Sequence, residues 1–140
     1  MSTANSNKLF PIFLKLENFR VLIVGGGKIG VEKLTAILNN SPATQIRLIA
    51  NKIDKEIESL SDGRNNVILV KKLFEESDLE QIDFLIVATG NKETSSAIKK
   101  LAQQKGILTN VADTPEQCDF YLGSIVQKGD LKIAFLNNRT

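Results

Sequence analysis

The stretch VLIVGGGKIGVEKLTAIL, from Val21 to Leu38, constrains this chain more than any other. An apolar run rich in β-branched residues, Arg20 to Val24, breaks into three glycines, and a helical pattern follows. Ile29, Leu34, Ile37 and Leu38 fall on one side of that helix, and Asn39-Asn40-Ser41-Pro42 is its stop signal. Gly25, Gly27 and Gly30 make G-x-G-x-x-G directly between strand and helix. Each glycine has its own physical reason. Gly25 permits the tight turn, Gly27 lets backbone approach a pyrophosphate, and Gly30 lets the helix pack near the strand. The helix N-terminus adds unpaired N–H groups and about half a positive charge. Dinucleotide binding is the expectation, and a tight turn without a ligand is the alternative.

Further strands are expected at Ile46–Ala50, Val67–Val70, Phe84–Ala88 and Ile107–Val111. A short helix is expected over Asp54–Leu60, and a short helix or a turn over Leu73–Leu79. Asn91 is placed to cap a helix that carries Ala97, Ile98, Leu101 and Ala102 on one face and stops at Gly106. Ser124–Gln127 and Leu131–Leu136 read as two more strands around Lys128-Gly129-Asp130. Upstream, LFPIFLKL (Leu9 to Leu16) is apolar but broken by Pro11, and reads as an edge strand or a segment packed across the sheet. Residues 1–8 are expected to be a loose tail and residues 9–140 one domain. The alternation of strands and helices predicts an α/β, doubly wound, mainly parallel sheet with helices on both faces. Ligands in such sheets sit at the carboxyl ends of the strands, where the strand order reverses.

Composition narrows the chemistry. A net charge of +2 gives no electrostatic case for nucleic acid, and the doublets Lys71-Lys72 and Lys99-Lys100 read as solvated surface lysines. There is no histidine, so the commonest metal ligand and the commonest general base are both missing. No metal is expected, and acid–base work falls to a carboxylate, a lysine, a tyrosine or Cys118. One cysteine allows no internal disulfide and fits a reducing compartment. MSTANSNK has no apolar signal core, and no apolar run approaches the roughly 20 residues of a membrane span. A cytoplasmic protein without membrane attachment is expected.

The candidate site residues follow the predicted strand ends. The acidic residue usual after the second strand is replaced by Asn51, which can still hydrogen-bond a ribose hydroxyl. Lys52 beside it suits a 2′-phosphate or a plain surface position, so the residues leave NAD and NADP open. Thr89, in Ala88-Thr89-Gly90-Asn91, stands where small residues leave room for a nicotinamide, or simply in a strand-to-helix turn with a cap. Asn110 and Asp113 lie at the end of the fifth strand, where a carboxylate can accept a proton beside a nicotinamide. The bland alternative for Asp113, ahead of Thr114-Pro115, is an Asx-type turn. Asp119, Phe120 and Tyr121 can face the same cleft, and Cys118 reads as a small packed hydrophobe rather than a nucleophile.

These residues carry a resemblance. LFPIFLKLENFRVLIVGGGKIG, Lys33, VATG, NVADTPEQCDFYLG and GDLKIAF together resemble the precorrin-2 dehydrogenase module of siroheme synthases, from Leu9 to Phe135. The resemblance implies a Rossmann-like fold and NAD-dependent oxidation of precorrin-2, a tetrapyrrole polycarboxylate, to sirohydrochlorin. By position it implies Asp113 as the catalytic carboxylate, acting as base or orienting the macrocycle. Lys28, Ile29, Asn51 and Lys52 fall on its cofactor-contacting positions, NAD is implied over NADP, and a homodimer is suggested. Two departures are visible. The family usually continues with Ser-Thr-x-Gly-x-Ser-Pro and helices, whereas this chain runs IAFLNNRT, as a short form or a piece would; Ser95 stands where the family often has Asn. Some members also insert iron into sirohydrochlorin, which is not expected of a chain without histidine. The competing expectations are a non-catalytic nucleotide-sensing module, although such modules usually keep the acidic residue that is Asn51 here, and a relative that binds cofactor but has lost turnover.

Overall fold

The computed structural model describes residues 6–137. Five parallel strands form the central sheet: β1 (Arg20–Val24), β2 (Gln45–Ala50), β3 (Val67–Lys71), β4 (Phe84–Val87) and β5 (Leu108–Val111). Their spatial order is β3-β2-β1-β4-β5, so the order reverses between β1 and β4. The continuous apolar runs are divided by the two-residue period of a strand. Val21, Ile23, Phe84 and Ile86 face one side; Leu22, Val24, Leu85 and Val87 face the other.

Each side receives its own helices. α1 (Lys28–Asn40) and α2 (Lys55–Ser61) bring Leu34, Ile37, Leu38 and Ile57 onto the first. α3 (Lys92–Gln104) brings Ile98 and Ala102 onto the second, joined by Leu79 from a single 3₁₀ turn over Glu76–Leu79. Full burial of such side chains stabilises by about 1.5–3 kcal/mol each, so two separate cores hold one sheet. The doubly wound expectation is met, and the open choice over Leu73–Leu79 resolves as that 3₁₀ turn.

β6 (Ser124–Lys128) and β7 (Leu131–Phe135) form an antiparallel hairpin that is a separate two-stranded sheet, exposed along most of its length. The expected strand or packed segment at Leu9–Leu16 is not formed. Leu9 to Leu14 have no regular secondary structure and are exposed, and only Leu16 and Phe19 reach the core. Phe19 meets Phe84 edge-on at 5.2 Å, so this rim of the core is closed without the upstream apolar residues. Of the expected tail, residues 1–5 lie outside the described residues; Asn7 donates from Nδ2 to the Leu136 carbonyl at 3.3 Å.

Two helix faces also differ from expectation. Ile29 is only half-buried and belongs to neither core. On α3 the buried residues are Ser95, Ile98, Lys99 and Ala102, while Ala97 is exposed. Lys99 is therefore not a solvated surface lysine: a carboxylate that the helical pattern could not reveal draws it inward.

Candidate active site

The β1–α1 turn packs as tightly as its glycines allow. Gly25 has φ +134, and a Cβ there would collide with the Ala88 carbonyl at the end of β4. A Cβ on Gly30 would lie 2.6 Å from the Gly25 carbonyl oxygen, so Gly30 lets α1 seat on the turn. Gly26 was not singled out by the motif, yet a Cβ there would collide with the Lys52 carbonyl. The Asp54 N–H donates to the Gly26 carbonyl at 2.8 Å, so the segment after β2 lies directly on the turn. Gly27 is the contrast: a Cβ there meets nothing within 4 Å.

Gly27 is also the N-cap of α1, and no side chain caps that helix or places an acid in its first turn. The other two helices are capped. Asp54 accepts from the Glu56 N–H on α2, and Asn91 accepts from the Thr94 N–H on α3. An uncapped helix start beside an open glycine is what an anionic phosphate group needs. Lys28 is exposed and Ile29 half-buried in that first turn. Asn51 and Lys52 are exposed at the end of β2.

At the end of β4, Thr89 is largely committed to its own turn. Its hydroxyl lies 2.6 Å from that of buried Ser95, donates to the Asn91 carbonyl at 3.1 Å and accepts from the Asn91 N–H at 3.1 Å.

After β5 the chain turns back along the open edge of that strand. The Thr109 N–H donates to Asp119 Oδ2 at 2.9 Å, and the Asp119 N–H donates to the Thr109 carbonyl at 2.7 Å. One pleat further, the Val111 N–H donates to Cys118 Sγ at 3.1 Å, and the thiol returns a bond to the Val111 carbonyl at 3.2 Å. Side chains thus finish a sheet edge that a sixth strand would otherwise cover. Partial burial pushes the Cys118 thiol up, against the smaller opposing effects of the Val111 N–H and of the Lys33 and Lys99 charges. A thiol held protonated in backbone bonds is no nucleophile, as the sequence suggested.

Of Asp119, Phe120 and Tyr121, only Tyr121 lines the cleft. Asp119 binds Lys99 Nζ at 2.7 Å, and Phe120 packs edge-on against Phe84 at 5.4 Å. The cleft is an open space of about 160 Å³ at the end of β5, lined among others by Lys33, Asn110, Asp113, Cys118, Tyr121 and Leu136. Lys33, on α1 one turn beyond Gly30, adds a cation that was not among the candidate site residues. Its distance of three positions from the last motif glycine was the available signal.

Asn110 is 95% buried by its 5% exposure, and its Nδ2 donates to the Phe120 carbonyl at 3.0 Å. That bond fixes the amide and leaves Oδ1 buried without a partner among the described residues. Asp113 is exposed with φ +64, a left-handed conformation that Asp tolerates better than most residues. No hydrogen bond among the described residues engages its carboxylate, so the Asx-type turn is not formed. The open amides of α1, the space at Gly27 and the orphaned Asn110 Oδ1 all fit a dinucleotide laid over the ends of β1, β4 and β5.

Comparison with known proteins agrees with this geometry. The chain is 36% identical to a siroheme synthase of Methylococcus capsulatus over 124 residues, covering 89% of this chain and 26% of that protein. A siroheme synthase of Pseudoalteromonas translucida is 35% identical over the same share of each. The chain thus spans about a quarter of the length of these curated relatives. Among solved structures, SirC, a precorrin-2 dehydrogenase, matches with a TM-score of 0.76 at 23% identity, over 93% of this chain and 62% of that one. At that identity the likeness establishes the Rossmann-like fold. The family model described as "Putative NAD(P)-binding" matches residues 12–124, and the chain belongs to that NAD(P)-binding family.

Proposed function

We propose that this chain is an NAD-dependent dehydrogenase that oxidises precorrin-2 to sirohydrochlorin in siroheme synthesis. One observation carries the reading beyond nucleotide binding. Asp113 presents an unengaged carboxylate in a cleft at the end of β5, beside the strand pair that bears the uncapped start of α1. A sensing module has no need of such a group. The names of the relatives, siroheme synthase and precorrin-2 dehydrogenase, support the substrate.

NAD, when bound there, would supply the acceptor for a hydride from a ring-bridging carbon of the substrate. The residues of this chain do the rest. The N–H groups of Lys28, Ile29 and Gly30 hold the pyrophosphate, with Gly27 giving it room. Asn51 offers its amide to a ribose hydroxyl, and NAD is preferred to NADP on the family resemblance. Asn110 Oδ1 is an acceptor awaiting an N–H from cofactor or substrate. Asp113 takes the proton released as conjugation extends, or orients the macrocycle for its loss. Lys33 at the cleft favours a polycarboxylate substrate.

The test is sirohydrochlorin formation from precorrin-2 under anaerobic conditions, with NAD and then NADP, on wild-type chain and Asp113→Ala. Turnover with NAD that drops by about 100-fold or more in Asp113→Ala, at unchanged NAD affinity, supports the reading. Wild-type turnover untouched by the substitution removes Asp113 from the mechanism. No turnover with intact NAD binding favours a cofactor-binding module.

A homodimer belongs to the same proposal. Val126, Leu131, Ile133 and Phe135 of the hairpin are at least half exposed or nearly so, at 53, 62, 49 and 57%. They suit a second copy, which light scattering would detect as a doubled mass. Among the described residues no helix is long and apolar enough to cross a membrane. We place the chain in the cytoplasm, where its single cysteine stays a thiol.

A further inference from the structure

We propose that Asp119 and Lys99 are positioning residues that set the place of Asp113. The inference rests on the dehydrogenase reading for its effect on turnover, but not for its effect on the chain. Among the described residues nothing bonds the Asp113 carboxylate, so its position is inherited from the backbone that carries it. That backbone is held on its near side by the Ala112 N–H on the Val87 carbonyl at 2.9 Å and the Thr114 N–H on the Val111 carbonyl at 3.2 Å, and on its far side by the Tyr121 hydroxyl on the Pro115 carbonyl at 2.9 Å, by Cys118 on Val111, and by Asp119. Asp119 is the tie that joins the loop to both β5 and α3, its Oδ2 taking the Thr109 N–H and the Lys99 ammonium.

Lys99 is 8% exposed, an unusual state for a lysine. Its partner Asp119 keeps 36% of its side chain exposed, and an ion pair with one member in water adds little net stability, so its effect is to fix geometry. Two further bonds follow the same line of α3. Gln117 Nε2 donates to Ser96 Oγ at 2.9 Å, and Ser95 meets Thr89 on the β4 turn. One helix therefore holds both the turn at the end of β4 and the loop that carries Asp113.

The test uses Lys99→Met, which keeps the aliphatic stem and leaves Asp119 bonded to the Thr109 N–H and partly hydrated. Asp119→Asn is the second variant should the first not fold. Lys99→Arg is the conservative rescue, and Lys100→Met, an exposed lysine on the same helix, is the control. Hydrogen exchange over residues 112–121, NAD affinity and turnover of precorrin-2 are measured on each folded variant. Lys99→Met should exchange faster over 112–121 but not over α1. Its kcat should fall by about 10- to 100-fold, as loss of alignment predicts, with NAD affinity within about twofold. Lys99→Arg should recover part of the loss, and Lys100→Met should match wild type.

Unchanged exchange over 112–121 in folded Lys99→Met and Asp119→Asn overturns the proposal. So does a loss of NAD affinity equal to the loss of kcat, which would mark a general loosening. A wild-type chain that turns over no precorrin-2, while Lys99→Met still loosens 112–121, upholds the tether and overturns the dehydrogenase reading instead.

Discussion

The helix starts after β1 and after β4 are two solutions to one problem. Both lie at the carboxyl edge of the sheet, on either side of the point where the strand order reverses. After β4, the start of α3 is capped from within the chain: Asn91 accepts from the Thr94 N–H, and Thr89 and Ser95 lock the turn behind it. After β1, α1 begins at Gly27 with no side-chain cap and no acid. Helices leave their first four N–H groups unpaired, and proteins ordinarily satisfy them. The difference teaches that the α1 end is kept open while its surroundings are closed. Gly25, Gly26 and Gly30 are packed against backbone, and Gly27 alone faces space. On the proposed function, the cofactor's phosphates supply the missing acceptor.

The largest effect that would break the comparison is at Gly25. Gly25→Ala must hold φ +134 and push a methyl group into the Ala88 carbonyl. Destabilisation by about 3 kcal/mol or more is expected, read as a lower denaturation midpoint. Tolerance of alanine there would mean the turn is not the rigid element that aims α1.

A smaller effect sharpens the other side. Asn91→Ala removes the cap of α3 and should cost about 1 kcal/mol in chemical denaturation. NAD affinity should stay within about twofold, since this helix start serves its own fold. A large loss of NAD affinity would place cofactor at the β4 turn as well.

The smallest effect concerns the β5 edge. Burial raises the Cys118 thiol above its ordinary value of 9.0, so the folded state binds this proton more tightly than the unfolded state. The thiol's contribution is complete below that ordinary value and is lost as pH rises through the raised one. The difference in melting temperature between wild type and Cys118→Ala should therefore shrink above about pH 9. A difference that is flat or grows with pH would contradict the bonded, neutral thiol.

Much of the sheet was legible in the sequence, because its strands are short apolar runs bounded by glycine, asparagine and proline. The roles of Gly25 and Gly30 were legible too, since they follow from local backbone geometry. What escaped depends on contacts distant in sequence. Gly26 is obligatory because Lys52 lies over it, and Lys99 is buried because Asp119, twenty positions away, meets it. Asp119 itself looked like a cleft residue; its carboxylate is spent on a strand edge that no local pattern announces. The exposure of Leu9 to Leu14 was hidden for the opposite reason: apolar character predicts burial only where something remains to be covered. Within the candidate site, Thr89 was legible only as an alternative between cap and cofactor contact, and the structure places its hydroxyl in the turn.

The most direct measurement is a calorimetric titration of NAD into the wild-type chain and into Gly27→Asp. Aspartate fits the extended backbone and open space at this position and would cap α1. Wild type should bind NAD saturably. Affinity should be weaker by about 100-fold or more in the variant, where a carboxylate takes the amides and repels phosphate, with stability unchanged or raised by about 0.5 kcal/mol. Equal NAD affinity in the two proteins would show that the open start of α1 is not where the cofactor binds.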